Sequence, residues 1–73
     1  MTGLKKFGTK RFEYLKRRQP KILDKLEEHG ILDVHLRYAQ NRADQHLNRL
    51  VMAGVEEFEA EEIVLREIIQ ASF

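Results

Sequence analysis

The sequence predicts an all-α fold, a small bundle of three to four helices around one long central helix. The main observation is an apolar stripe with helical spacing, made of Leu32, Leu36, Ala39, Ala43, Leu47 and Leu50. No glycine or proline interrupts this stretch, whereas Gly30 and Gly54 bound it on either side. A chain of 73 residues, rich in residues that favour helix, is expected to form a single domain spanning residues 1–73.

The central helix is predicted to span residues 32–52. The polar residues between the stripe positions predict its outer face, namely Arg37, Gln40, Asn41, Asp44, Gln45 and Asn48. Ala39 and Ala43 carry small side chains, so a second helix has room to pack closely at mid-length.

Two shorter helices are predicted before it. Residues 1–8 contain two glycines and are expected to form a flexible arm, and Thr9 is a candidate N-cap for a helix over residues 10–18. Phe12 and Leu15 are expected to face inward. Pro20 then has to end that helix, because proline has no N–H to donate and its ring clashes with an earlier carbonyl.

The second helix is predicted over residues 20–28, where Pro20 suits its first turn and Gly30 suits its C-terminal cap. Ile22, Leu23 and Leu26 form its apolar side. The apolar spacing continues across Pro20, so a single kinked helix is the alternative.

The last helix is predicted over residues 55–71 and is expected to pack antiparallel to the central helix after Gly54. Its inward residues are predicted to be Phe58, Leu65, Ile68 and Ile69. Ile63 and Val64 widen the apolar arc beyond what one neighbouring helix covers. That width indicates either burial between two helices or a homodimer interface.

The net charge of +1 conceals a polarised chain. Residues 1–25 carry nine Lys and Arg against two carboxylates, whereas residues 55–73 carry one Arg against six Glu. This asymmetry has two interpretations. Either a basic segment binds an anionic partner, or the two ends lie together and neutralise each other.

The residue types argue against an enzyme and against a metal or cofactor site. There is no cysteine. The three histidines are not spaced from one another, or from an Asp or Glu, as the ligands of a metal site are. No glycine-rich phosphate loop and no nucleophile elbow occurs. We therefore expect no catalytic, metal-binding or cofactor-binding residues. No apolar run approaches the roughly 20 residues that span a bilayer, so no membrane association and a cytoplasmic location are expected.

DNA binding is the more specific hypothesis. The candidate contacts are basic residues, with one tyrosine among them, in the first two helices and two side chains near the start of the third: Lys10, Arg11, Tyr14, Arg17, Arg18, Lys21, Lys25, His35 and Arg37. The second helix, Gly30 and the third helix also resemble a helix-turn-helix in outline. Leu26 occupies a position that usually holds a small residue in that motif, and the third helix is longer than a typical recognition helix.

Several segments resemble the TnpV-type proteins encoded by transposons. The similarity covers Lys6-Phe7-Gly8, Tyr14-Leu15-Lys16, Pro20, Leu23, Gly30, Leu32 and His35-Leu36 near the N-terminus, and Ala60 to Leu65 followed by Glu67-Ile68-Ile69 near the C-terminus. This chain lacks most of that family's connecting segment between Val51 and Ala60. The resemblance implies a bacterial protein of a mobile genetic element, with a role like that of an excisionase, a small basic protein that assists a recombinase.

A protein-binding module is the alternative function. In that case the chain inhibits a nuclease or another enzyme of host or phage defence, as an anti-CRISPR protein does. The acidic residues of the last helix, Glu56, Glu57, Glu61 and Glu62, or its apolar arc, are then expected to bind the partner.

Overall fold

A computed structural model describes residues 4–70, most of which are helical. These are α1 (Lys6–Arg18), α2 (Pro20–Glu28), α3 (Leu32–Met52) and α4 (Glu57–Val64), and α4 continues as a π-helical segment, Leu65–Ile69. No strand occurs in residues 4–70. The predicted all-α fold class is therefore confirmed.

The long helix α3 is the centre of the bundle, and each of the other elements contacts it. Leu36, Ala39 and Ala43 of the predicted stripe are fully buried. Leu32, Leu47 and Leu50 are half-buried and pack at the edges of the core. The bounds of α2 and α3 agree with the sequence prediction because Pro20, Gly30 and Gly54 mark them locally.

Helix α1 begins at Lys6, four residues earlier than predicted, so the flexible arm proposed for residues 1–8 is wrong from residue 4 onward. Phe7 is buried in the core, which holds this first turn against the bundle. Thr9 does not cap the helix, because its backbone N–H already donates to the carbonyl of Lys5. Residues 1–3 of the predicted arm lie outside the described residues.

Gln40 of α3 takes the capping role instead. Its Oε1 accepts a hydrogen bond from the backbone N–H of Lys5, at the start of α1. The prediction that Gln40 lies on the outer face is therefore wrong, since it is buried beneath α1. Gly8 permits this close approach, because a Cβ at Gly8 would lie 2.6 Å from Gln40 Oε1.

Pro20 separates two helices and does not kink a single one. Gln19 between them has φ −138° and ψ 58°, outside the helical region, and Pro20 starts α2. The alternative of one kinked helix is thus wrong. A second buried cluster, made of Leu15, Leu23 and Leu36, lies where α1, α2 and α3 meet.

The last helix differs from its prediction at its start. Gly54 has φ +98° and turns the chain, and α4 begins only at Glu57. Phe58, predicted to face inward, is 66% exposed. The C-terminal end changes geometry as well, since the N–H of Gln70 donates to the carbonyl of Leu65, a π-type hydrogen bond. Residue 71, the predicted end, lies outside the described residues.

Helix α4 and its π-helical segment pack against both α1 and α3. Phe7, Ala43, Val64, Ile68 and Ile69 form the core cluster between them. Burial between two helices thus accounts for the wide apolar arc within one chain, and the arc no longer requires a second subunit.

Candidate nucleic-acid interface

Six exposed cations lie on α1 and on α2. We call them the basic cluster: Lys10, Lys16, Arg17, Arg18, Lys21 and Lys25. None of them forms an ion pair within residues 4–70; the ion pairs there are Lys6–Glu61, Arg37–Asp33 and His46–Glu67. The positive charge of the basic cluster is therefore available to an external anion.

An acidic residue of α4 is paired with the start of α1 and not with the basic cluster. Lys6, at the start of α1, pairs with Glu61 of α4. From Lys6, α1 carries the chain about 18 Å further at 1.5 Å per residue. The two ends of the chain therefore do lie together, joined by the Lys6–Glu61 pair, but residues 10–25 and 56–62 form no ion pair with each other in the described part of the chain. Neutralisation by direct pairing is thus limited to the start of α1.

Arg11 has to be removed from the predicted DNA contacts. Its side chain is fully buried, and its Nη1 donates to the backbone carbonyl of Ile69 at 2.8 Å. That carbonyl lies in the last turn of the π-helical segment, where the carbonyl groups have no partner within the helix. Arg11 therefore acts as a C-terminal cap supplied by a distant helix and cannot reach a phosphate.

His35 is also poorly placed to contact DNA bases. It is half-buried, and its Nε2 accepts a hydrogen bond from Arg11 Nε at 3.3 Å. Gln40, further along α3, is buried beneath α1 and cannot contact bases either. Arg37 is exposed, and its Nε donates to Asp33 at 2.9 Å. The start of α3 thus offers Arg37 but not His35 for a groove contact.

Burial lowers the pKa of His35 from 6.5, and the positive charge of Arg11 lowers it further. The hydrogen bond from Arg11 also requires an unprotonated Nε2. A histidine whose pKa is lower in the folded state contributes stability above its unfolded pKa and loses it as the pH falls. We therefore expect the melting temperature to fall as the pH is lowered from about 7.5 towards about 5.5.

The variant His35→Gln is expected to flatten this pH dependence, as measured by thermal melts followed by circular dichroism. His29→Gln is the matched control, because His29 is exposed at the end of α2. A wild-type melting temperature that rises on acidification over this range would contradict the assignment.

Tyr14 lies at an open cleft between α1 and the end of the π-helical segment. The cleft has a volume of about 460 Å³ and is lined by Lys10, Glu13, Tyr14, Arg17, Arg18, Leu65, Ile69 and Gln70. The Arg11 guanidinium lies over the Tyr14 ring, 5.6 Å from its centroid. Sequence reasoning found the cations and Tyr14 but missed the opposite wall, since only the tertiary fold brings residues 65–70 beside α1.

No cluster of three or more metal-ligating side chains occurs in residues 4–70. Within the same residues, no helix has both the length and the apolar character needed to cross a membrane. No protein-family model, curated protein or solved structure matches this chain. The resemblance to TnpV-type proteins therefore stays a prediction that rests on the residues quoted for it.

Proposed function

We propose that this chain is a non-enzymatic, cytoplasmic accessory protein of a bacterial mobile genetic element and that it binds DNA through the basic cluster. One observation carries the proposal: the six cations are exposed and form no ion pair in the described part of the chain. Lys and Arg side chains that neutralise phosphates displace condensed counterions, which favours binding to any duplex. The TnpV-type resemblance supports an excisionase-like setting for this activity.

The proposed contacts are with the phosphate backbone and do not by themselves select a sequence. Phosphate contacts fix the position of a protein on DNA, whereas sequence is read from base edges. With His35 and Gln40 engaged inside the fold, Arg37 and the exposed Asn41 are the remaining polar side chains for base contacts near the start of α3. We therefore propose weak sequence preference for the isolated chain, with the recombination partner supplying specificity.

The test compares the triple variant Arg17→Ala, Arg18→Ala and Lys21→Ala with the wild type in titrations of a labelled duplex. The variant is expected to bind all sequences more weakly by similar factors. The slope of log affinity against log salt should fall by about 0.9 for each phosphate that the variant no longer neutralises. The fold should persist, because exposed charges contribute at most about 1 kcal/mol each to stability.

The matched control removes three exposed arginines elsewhere, Arg42, Arg49 and Arg66. It has the same change in net charge, so it separates a local interface from general electrostatic attraction. Equal losses of affinity in the two triple variants would contradict the proposed surface. Absence of duplex binding by the wild type at low salt would end the DNA proposal.

A protein-binding role is the second candidate, and a specific feature of the described residues favours it. Phe58 is 66% exposed and Met52 is 80% exposed, and Glu56, Glu57 and Glu59, which flank Phe58 in the sequence, are exposed as well. Exposed apolar side chains that form one patch with a polar border are typical of a protein-docking surface. In this proposal the chain inhibits a DNA-processing or defence enzyme by occupying its basic site. Of the glutamates first considered for that surface, Glu61 already pairs with Lys6.

A homodimer is also proposed, with Val51, Met52 and Phe58 as exposed apolar residues near the α3–α4 turn. A chain of this size gains stability by association, because its own core is small. A monomer mass in light scattering at about 100 µM, well above a micromolar dissociation constant, would contradict it.

A further inference from the structure

We infer that the cleft between α1 and the π-helical segment binds one unstacked nucleotide of single-stranded DNA, with Tyr14 as the stacking surface. This inference rests on the proposed DNA-binding function and adds a substrate class to it. It predicts that the chain recognises frayed or melted DNA through a base contact that duplex binding does not make, while Lys10, Arg17 and Arg18 of the basic cluster line the cleft and serve both modes.

The size of the cleft favours one small planar ligand. Its volume of about 460 Å³ lies within the range of about 300–1,000 Å³ typical of small-molecule sites. A duplex is far too wide to enter it, whereas a single base and its sugar fit. The cleft is open to solvent on one side, so the strand on either side of that nucleotide can continue along the surface of α1.

Tyr14 is held in place from behind. The guanidinium of Arg11 lies over the ring at 5.6 Å from the centroid, and Arg11 is itself fixed by its hydrogen bond to the Ile69 carbonyl. The opposite face of the ring is the one proposed for stacking. A ring held by a buried group loses little conformational entropy when a base stacks on it, and stacking on aromatic side chains is the usual way of binding single strands.

The rest of the lining matches the two halves of a nucleotide. Lys10, Arg17 and Arg18 line the cleft and form no ion pair in residues 4–70, so they can bind the phosphates. The half-buried Leu65 supplies most of an apolar wall for the base, since Ile69 lines the cleft but is only 1% exposed. Their segment is π-helical, a geometry that occurs frequently at functional sites.

Glu13 and Gln70 complete the lining. The amide of Gln70 can donate and accept hydrogen bonds at the edge of a base and the carboxylate of Glu13 can accept them, whereas a cleft for phosphate alone needs neither. The combination of cations, a tyrosine ring, an apolar wall and an amide therefore favours a nucleotide over a simple anion.

The first experiment titrates a labelled oligothymidylate of ten nucleotides, and separately a labelled duplex, with the wild type and with the Tyr14→Leu variant. We expect Tyr14→Leu to weaken binding of the single strand by about tenfold or more, the loss typical of one stacked base. Duplex affinity is expected to change less than about twofold, because Tyr14 makes no phosphate contact in the proposed duplex mode.

Two variants serve as controls. Tyr14→Phe keeps the ring and is expected to retain single-strand binding. Tyr38→Leu removes the other tyrosine of the chain, which is exposed on α3 and outside the cleft lining, and should leave both affinities unchanged. Unchanged duplex binding by Tyr14→Leu, together with its melting temperature, shows that this variant still folds.

A second measurement follows the ring directly. In a Tyr38→Phe chain, Tyr14 is the only tyrosine and there is no tryptophan, so the intrinsic fluorescence reports on the cleft. Oligothymidylate is expected to quench this fluorescence in a saturable way. Inorganic phosphate, added at the same total concentration of phosphate groups, is not expected to quench it. Equal quenching by both probes would overturn the nucleotide assignment.

The outcomes separate this inference from the proposed function. Duplex binding with no effect of Tyr14→Leu on the single strand overturns the inference and leaves the proposed function standing. Single-strand binding that depends on Tyr14, without duplex binding, supports the inference while the proposed duplex function fails. No single-strand binding by the wild type overturns the inference, whatever the duplex result.

Discussion

Replacing Arg11 with Ala is expected to unfold most of the protein at room temperature. The side chain is fully buried, and its Nη1 satisfies the Ile69 carbonyl at the end of the last helix. The substitution leaves a cavity in the core and an unpaired buried acceptor, losses that together cost about 3–5 kcal/mol. The net stability of so small a core is itself only about 3–5 kcal/mol. Circular dichroism and urea titration measure the result.

Two further variants separate the contributions of charge, buried volume and hydrogen bonding to this loss of stability. Arg17→Ala also removes one arginine from α1, but its side chain is exposed, so the free energy of unfolding should change little. Arg11→Met fills most of the volume but donates no hydrogen bond, so we expect it to recover only part of the loss. An Arg11→Ala protein that melts within a few degrees of wild type would show that Arg11 is not part of the core.

Arg11 variants need a stability measurement beside any DNA titration. Arg11 lies among the basic residues in sequence, so a variant that fails to bind DNA would suggest that a phosphate contact is missing. Because the side chain is buried, we expect an Arg11 variant to lose DNA binding only to the extent that the variant is unfolded. The Arg17, Arg18 and Lys21 variants, by contrast, should lose affinity while they keep their melting temperature.

Replacing Ala43 with Leu is expected to cause the second largest loss of stability. Ala43 is fully buried and packs with Phe7 of α1 and with Val64, Ile68 and Ile69 of the last helix. Three added carbon atoms have no space between α1, α3 and the last helix, so the helices must move apart or side chains must leave their preferred rotamers. We expect a cost of about 3 kcal/mol, at the upper end of the usual range for overpacking.

Gln45→Leu is the matched control, because Gln45 is exposed on the same helix two residues away. Leucine is among the residues that favour helix most, so neither substitution is expected to weaken α3 itself. Thermal melts of the two variants should therefore differ by more than about 10 °C. Equal melting temperatures would mean that the three helices do not pack closely at Ala43.

The central part of the fold could be predicted because its signals are local. The spacing from Leu32 to Leu50 gives one face of a helix, and Pro20, Gly30 and Gly54 mark helix ends through their own backbone preferences. Each of these effects acts within a few residues along the chain. The bounds of α2 and α3 therefore followed without any knowledge of their neighbours.

The predictions that failed concern residues whose environment is made by distant parts of the chain. The first turn of α1 is helical because Phe7 enters the core and Gln40, thirty-five residues away, accepts the N–H of Lys5. Gln40 is polar, and its position along α3 indicates an outer-face residue until α1 covers it. Phe58 is apolar, and its spacing indicates a core residue until the turn at Gly54 places it in solvent.

For the candidate site, the sequence alone determined that the positive charge lies in residues 1–25 and that Tyr14 lies within it. Only the tertiary structure decided which cations face solvent. Arg11 and Arg17 differ by six positions in α1, yet one caps the carbonyl of Ile69, fifty-eight residues away, and the other lines an open cleft. The physical reason is that a buried charge is tolerated only where a distant group accepts its hydrogen bonds, and no local pattern contains that partner.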